Sequence, residues 1–234
     1  MKKIICMLVA LCVCMPLCFS LSSCSSESAH TGFKIISTDI NDFRLEVPTG
    51  WTATSQNGIV SATADGLSGD KSNISVMSTM LNGPQTEQEY FKLLLDSYLE
   101  MYDSLRISYS DKWYDIIPTP AEDKADDSSV DTGAVAAQAD ETTDTSADTS
   151  ADETAPTLTT KQAAEKYVEI DFGTEKGARY VFEAKVLGES YRFMQVFAIH
   201  TERLYIFTYT SNEEFYETHK IEVEYIISYF EFKV

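Results

Sequence analysis

The sequence predicts an α+β fold, with a central antiparallel sheet that helices cover on both faces and a long disordered acidic insert that interrupts the domain. Within residues 167–210, four strand-like runs are separated by short polar loops, which is typical of an antiparallel meander. The run from Tyr191 to His200 is apolar on both of its faces, which indicates that both faces are covered. Helical patterns at residues 86–105 and after Ser211 supply that cover.

The first half of the predicted domain combines short strands with one capped helix. Thr86-Glu87-Gln88-Glu89 has the pattern of a capping box, in which the Thr86 hydroxyl and the Glu89 carboxylate satisfy free backbone N–H groups. The helix then presents one apolar stripe, formed by Phe91, Leu94, Leu95, Tyr98, Tyr102 and Leu105. Period-two alternation predicts strands at residues 33–37, 43–47, 58–64, 73–80 and 106–117.

The second half is predicted to be mostly strand and to close on a helix. The strands are residues 167–172, 178–186, 190–200 and 204–210. Ser211-Asn212-Glu213-Glu214 suggests a second capping box, followed at helical spacing by Phe215, His219, Val223, Ile226 and Phe230. Residues 230–234 are predicted to add a last edge strand.

The segment 118–160 has a different composition from both of its flanks. It contains eleven acidic residues against Lys124 alone, and it has no aromatic residue. Such a segment buries too little apolar surface to offset its ordering entropy, so we predict that it is disordered. A calcium site is the alternative, although no D-x-[DN]-x-[DN]-G loop is present. Residues 33–117 and 161–234 are then predicted to form a single domain, with two separate domains as the alternative.

The N-terminus has the pattern of an export signal. Lys2 and Lys3 precede an apolar run of 16 residues, Ile4 to Phe19, which is shorter than the ~20 residues that span a bilayer. The following Leu21-Ser22-Ser23-Cys24 resembles the lipobox of bacterial lipoproteins. The resemblance implies that residues 1–23 are removed, that a diacylglyceryl group is attached to Cys24, and that residues 24–32 form a tether to the domain. An ordinary signal cleaved elsewhere is the alternative.

Cysteine usage and charge fit an exported, anchored protein. Four of the five cysteines lie in the predicted signal, and acylation would consume the fifth. The formal net charge is −19, and loss of Lys2 and Lys3 makes the mature chain about −21. This charge argues against a nucleic-acid partner. We therefore predict a protein lipid-anchored to a cell membrane or envelope, on the extracytoplasmic face.

The order of elements resembles the PsbP-like fold, an α-β-α sandwich that also occurs in small bacterial lipoproteins. The residues that carry the resemblance are Phe43-Arg44-Leu45-Glu46-Val47-Pro48-Thr49-Gly50-Trp51, which match an F-x-[IL]-x-[IVY]-P-x-G-W opening, and Ile226-Ile227-Ser228-Tyr229-Phe230 in the closing helix. The resemblance implies an accessory or binding subunit. It supplies no shared catalytic motif.

The sequence contains no recognisable catalytic, metal or cofactor motif. His30, His200 and His219 lack the spacing of a zinc site. The weak candidates for ligand binding are Trp51, Trp113 and Tyr114, for which core packing is the alternative. The leading hypothesis is a non-enzymatic module that binds an envelope protein partner. A hydrolase of envelope polymers, with a histidine beside a carboxylate in a deep pocket, and a small-ligand-binding lipoprotein are the alternatives.

Overall fold

The computed structural model describes residues 29–82, 86–120 and 155–233. The predicted signal peptide, Cys24 and residues 121–154 of the predicted insert lie outside the described residues.

A central sheet is present, as predicted, and nearly all of its strand pairs are antiparallel. Its order is β4-β5-β6-β13-β12-β11-β7-β8-β9, with β10 paired to β11. Strands from the first half of the chain therefore lie on both sides of the β11–β13 meander. Two small sheets, β1-β3 and β2-β14, complete the fold. The strands are β1 Phe33–Ile35, β2 Phe43–Arg44, β3 Glu46–Pro48, β4 Thr52–Gln56, β5 Ile59–Thr63, β6 Asn73–Met80, β7 Leu105–Tyr109, β8 Lys112–Ile117, β9 Thr157–Thr159, β10 Val168–Phe172, β11 Glu175–Val186, β12 Glu189–His200, β13 Arg203–Asn212 and β14 Glu231–Phe232.

Three helices accompany these strands in the described part of the chain: α1 Glu87–Met101, α2 Thr160–Ala164 and α3 Glu213–Ser228. The predicted capping box at Thr86 and Glu89 is confirmed, with both hydrogen bonds formed. The predicted capping box at Ser211 is wrong, because Asn212 is the N-cap and makes no side-chain capping bond. The Ser211 hydroxyl instead bonds that of Ser72, 2.8 Å away in the buried interior.

Two strand predictions also need correction. Residues 106–117 are not one strand but the hairpin β7–β8, which turns at Ser110 and Asp111. Residues 43–47 are divided at Leu45 between β2 and β3, which belong to different small sheets.

The end of the predicted acidic insert belongs to the fold. Thr157–Thr159 pair in parallel with β8, and the Asp115 N–H donates to the Pro156 carbonyl at 3.1 Å. The helix α2 then begins at Thr160, under a capping box formed by Thr159 and Gln162. The sequence placed residues 156–160 in the insert because their neighbours are acidic and lack aromatic side chains.

Two apolar clusters fill the interior, and each contains one long helix. Alternate residues of β12 point to opposite faces of the sheet. Met194, Val196 and Ala198 lie in the cluster that includes α3 residues Tyr216, Val223, Ile226 and Ile227. Tyr191, Phe193 and Phe197 lie in the cluster that includes α1 residues Phe91, Leu94, Leu95 and Tyr98. The strand β12 therefore contributes side chains to both clusters.

Four two-residue hairpins connect neighbouring strands with both central residues at positive φ. These are Asn57–Gly58, Ser110–Asp111, Leu187–Gly188 and Thr201–Glu202. This geometry matches the right-handed twist of the flanking strands, and it favours Asn-Gly sequences. Of these four, only the first has that sequence, and the other three place less favoured residues, such as Leu187 and Thr201, in the left-handed region.

The residues before β1 are docked onto the domain. The His30 N–H and the His30 ring Nδ1 both contact Glu46 Oε2 at 2.9 Å, and the Gly32 carbonyl accepts the Thr49 N–H at 3.0 Å. The predicted tether of residues 24–32 is therefore shortened, because its last residues already belong to the packed structure.

Candidate functional site

The three weak ligand-binding candidates do not converge on one site. Trp51 is buried in the α3-side cluster. Tyr114 packs against the α1-side cluster on the opposite face of the sheet. Trp113 is partly exposed, and its pairing with Ser108 places it on the α3 side. Trp113 and Tyr114 are both partly exposed, on opposite faces of the sheet, and Trp51 is buried. On the α3 side, Trp113 is therefore the one of the three that reaches the surface.

A row of alternating charges crosses the sheet beside Trp113. Pairing registers align Asp115 of β8, Arg106 of β7, Glu183 of β11 and Arg192 of β12. Opposite charges directly across antiparallel strands stabilise the pairing by roughly 0.2–1 kcal/mol each. We call these four residues the charge row.

The charge row is held together by ion pairs. Arg192 donates to Glu183 Oε1 from Nε at 2.9 Å and from a terminal nitrogen at 2.6 Å. Arg106 lies 3.2 Å from Asp115 and 3.9 Å from the other Glu183 oxygen. Glu217 of α3 adds a carboxylate 3.5 Å from Arg192, which connects the row to the helix.

Both guanidinium groups of the row also contact Trp113. The Arg106 and Arg192 Cζ atoms lie 5.6 Å and 5.3 Å from the Trp113 ring centroid. Each such cation–π contact contributes roughly 0.5–1 kcal/mol when exposed and more when desolvated. Trp113 is therefore a fixed aromatic group on the sheet. Trp and Arg are the residue types that dominate binding energy at protein interfaces, so the arrangement is suited to contact with another protein.

A second cluster of polar side chains lies around His219 of α3. Its Nε2 lies 2.7 Å from Asp70 Oδ2, and its Nδ1 lies 2.7 Å from Glu222 Oε2. The Trp51 indole donates to Glu222 Oε2 at 3.3 Å, and the Trp51 ring meets the imidazole edge-on at 5.5 Å. Asp70 is almost fully buried and also accepts the Ser72 N–H at 2.8 Å.

His219 and Asp70 each shift the pKa of the other. Burial alone would lower the pKa of His219, but the hydrogen bonds to Glu222 and Asp70 outweigh burial, so this pKa is raised. Burial alone would raise the pKa of Asp70, but its bonds to Ser72 and His219 outweigh burial, so this pKa is lowered. The charged form of both groups is therefore favoured, and the pair joins the loop before β6 to α3.

Each of the three histidines sits beside a carboxylate. Both ring nitrogens of His219 are occupied by carboxylate oxygens, so neither is available to activate a nucleophile in this arrangement. His200 Nδ1 lies 2.8 Å from Glu175 Oε1, and its ring stacks on Phe232. A shallow groove of about 710 Å³ is lined by Gly69, Lys71, Glu189, Ser190, Asn212, Glu213 and Glu214. In the described part of the chain, the lining of that groove includes neither histidine nor any aromatic residue.

Two further searches cover the described residues only. Across residues 29–82, 86–120 and 155–233, no group of three His, Cys, Asp or Glu side chains is arranged to hold a metal ion. Within the same residues, no helix is both long enough and apolar enough to cross a bilayer.

The charge row was missed by sequence reasoning. Its members come from four strands, and β7 pairs with β11 across more than 70 residues of chain. Each charge alone is an ordinary polar position in an alternating strand, so the only available signal was the alternation in β7 and β8. That signal was weakened because the two strands were treated as one.

No protein-family model matches the chain. No curated protein matches it either. Among solved structures, the cyanobacterial PsbP (CyanoP) of Synechocystis sp. PCC 6803 is similar at a TM-score of 0.49 and 11% identity, covering 91% of this chain and 98% of that one. LpqN of Mycobacterium tuberculosis, described as involved in cell envelope biogenesis, has a TM-score of 0.44 and 8% identity, covering 82% and 83%. A Pseudomonas aeruginosa protein of unknown function has a TM-score of 0.43 and 10% identity, covering 82% and 91%. These similarities concern the arrangement of secondary-structure elements alone.

Proposed function

We propose that this chain is an exported lipoprotein, anchored through Cys24 to the extracytoplasmic face of a membrane, whose domain is a non-enzymatic module that binds an envelope protein partner. The anchor is supported by the basic start, the apolar run and the Leu21–Cys24 motif, which occur in that order. The binding role is supported by one observation, the Trp113 ring fixed beside Arg106 and Arg192 on the open part of the sheet.

The geometry favours a protein partner over a small ligand. The surface around Trp113 is open, since Arg106, Asp115 and Ile117 on the same side are all exposed by about two fifths. The guanidinium groups are already neutralised by Glu183 and Asp115, so they present no unpaired charge that would attract a small anion. A pre-ordered aromatic and two ordered arginines lose little conformational entropy on binding, which favours a protein contact.

A crosslinking experiment in intact cells tests this proposal. A photo-reactive amino acid at Ile117 should yield one crosslinked product of defined mass, because Ile117 is exposed on the same side as Trp113. Replacing Trp113 by Ala should reduce the yield strongly, since loss of a central Trp typically weakens an interface by about 2 kcal/mol or more, roughly 30-fold.

The controls separate the anchor from the binding surface. The same photo-reactive residue at Leu67, an exposed apolar position in the loop between β5 and β6 on the far side of the sheet from β8, should not give that product. A product that survives Trp113→Ala unchanged would contradict the binding surface. Metabolic labelling with an alkyne fatty acid should mark the wild type and not Cys24→Ala, and equal labelling of both would contradict the anchor.

A further inference from the structure

The predicted anchor lies very close in sequence to a fixed point on the domain. His30 is held by two contacts to Glu46 Oε2, and its ring stacks on Tyr229 at 3.8 Å with an interplanar angle of 6°. Glu46 is itself buried and paired with Arg44 at 2.5 Å. Six residue steps separate Cys24 from His30, so the acylated cysteine lies at most about 20 Å from this point.

An exposed aromatic stripe begins at that same point. Tyr229 stacks on His30 and also on Tyr225, the two tyrosine ring centroids being 6.2 Å apart. Ile221 lies one further turn back along α3, at the four-residue spacing that keeps side chains on one helix face. Tyr225 is 51% exposed and Ile221 is 70% exposed. We call the two tyrosines, Tyr225 and Tyr229, together with Ile221 on the same helix face, the aromatic stripe.

Another exposed apolar side chain is attached to the same end of the domain. Ile40 is 92% exposed at a loop between β1 and β2. Lys233, which follows β14, fixes that loop by donating to the carbonyls of Asp42 at 2.9 Å and Thr38 at 3.1 Å. The C-terminal end of α3 therefore combines the docked His30, the aromatic stripe and this loop.

The hairpin that carries Leu187 marks the other end of the domain. Tyr191, three residues beyond Gly188 of that hairpin, pairs with Asn212, the N-cap of α3. The 16 residues of α3 span about 24 Å between this end and Tyr229. Leu187 is 94% exposed and thus offers a matched apolar position far from the predicted anchor.

We propose that the aromatic stripe lies in the headgroup region of the bilayer that holds Cys24, and that it recognises neutral phospholipid. This rests on the proposed lipid anchor. The short chain keeps the stripe next to the membrane surface, and tyrosine is a side chain that favours the boundary between water and hydrocarbon. The mature charge of about −21, which follows from the −19 of the full chain, opposes close contact with anionic lipid.

Depth measurement with a spin label tests the orientation. Acylation of Cys24 leaves the mature chain without a free thiol, so a single introduced cysteine can be labelled selectively. The lipidated variants Tyr225→Cys, Ile221→Cys and Leu187→Cys are reconstituted into phosphatidylcholine vesicles. Collisions with oxygen relative to a water-soluble nickel chelate should be several-fold higher at 225 and 221 than at 187. Addition of phosphatidylglycerol should lower the values at 225 and 221.

The outcomes distinguish this proposal from the anchor itself. Equal, water-like values at 225 and 187, in protein that floats with the vesicles, would overturn the orientation and leave the anchor intact. Spin–spin broadening at 225 would show that a second copy covers the stripe. Protection at 225 in native membranes but not in pure vesicles would show a protein there instead, and either result overturns the lipid contact. Protein that does not float would overturn the anchor and the orientation together.

Discussion

At the residue scale, His219 is the side chain whose charge most directly couples two elements. Its imidazolium joins Asp70, in the loop before β6, to Glu222 on α3. Because the pKa of His219 is raised in the folded state, its stabilisation is present below the unfolded pKa of about 6.5 and is lost as the pH rises through the folded value. Because the pKa of Asp70 is lowered, its stabilisation is present above the unfolded pKa of about 4 and is lost as the pH falls. We expect His219→Gln to cost about 2 kcal/mol near pH 5.5 and clearly less near pH 9, measured by urea unfolding.

His200→Gln is the matched control for this prediction. His200 has a single carboxylate contact, with Glu175, and lies at a strand end. The substitution should cost less than His219→Gln at pH 5.5. If the wild type and His219→Gln differed by the same free energy at every pH from 5 to 9, the charged form of His219 would not be the stabilising one.

At the element scale, some hairpin residues adopt an unfavourable left-handed backbone conformation, and substitution can relieve that strain. Thr201 at φ 48° and Glu202 at φ 60° occupy the left-handed region, which is especially unfavourable for a β-branched residue. Asn57 and Gly58 occupy the same geometry with the favoured residue types. We expect the double change Thr201→Asn and Glu202→Gly to raise the free energy of unfolding by about 1 kcal/mol, measured by chemical denaturation.

The first hairpin provides the reciprocal experiment. Asn57→Thr combined with Gly58→Glu should lower stability by a similar amount, because the left-handed geometry is kept and the residue types are exchanged. An unchanged stability in both double variants would mean that the turn residues do not limit these hairpins.

At the scale of the whole molecule, the acidic segment 121–154 and the C-terminal end of the insert, which forms β9, are expected to differ in importance for stability. Closing a loop depends only weakly on its length, so deletion of residues 121–154 with a short Gly-Ser linker should keep cooperative unfolding and the wild-type melting temperature within a few degrees. Deletion of residues 120–158 also removes two of the three residues of β9 and the Pro156 carbonyl bonded to Asp115. That variant should melt clearly lower, measured by circular dichroism.

The comparison of the two deletions isolates the strand from the acidic segment. Equal melting temperatures would show that β9 adds nothing to the sheet edge. A loss of cooperative unfolding in the shorter deletion would show that residues 121–154 support the fold.

Local patterns predicted much of the secondary structure correctly. The capping box at Thr86, the apolar stripe of α1 and the β11–β13 meander depend on residues within a few positions of one another, so periodicity and turn residues identify them. Predictions were wrong where a distant partner decides the outcome. The Ser211 hydroxyl bonds Ser72 in the interior and is not a cap, and Thr157–Thr159 become a strand because the edge of β8 accepts them.

The candidate site also combines features that local residues indicate with features that only distant partners decide. Residue types alone indicated that Trp51, Trp113 and Tyr114 deserved testing, and that the N-terminus resembles a lipoprotein signal. The β7–β8 turn decides which face of the sheet Trp113 and Tyr114 each occupy, because a shift of one residue moves a side chain to the other face. The charge row and the contact between His30 and Tyr229 unite residues more than 70 positions apart. Such contacts arise from strand order and helix packing, which are properties of the whole folded chain and leave no local pattern.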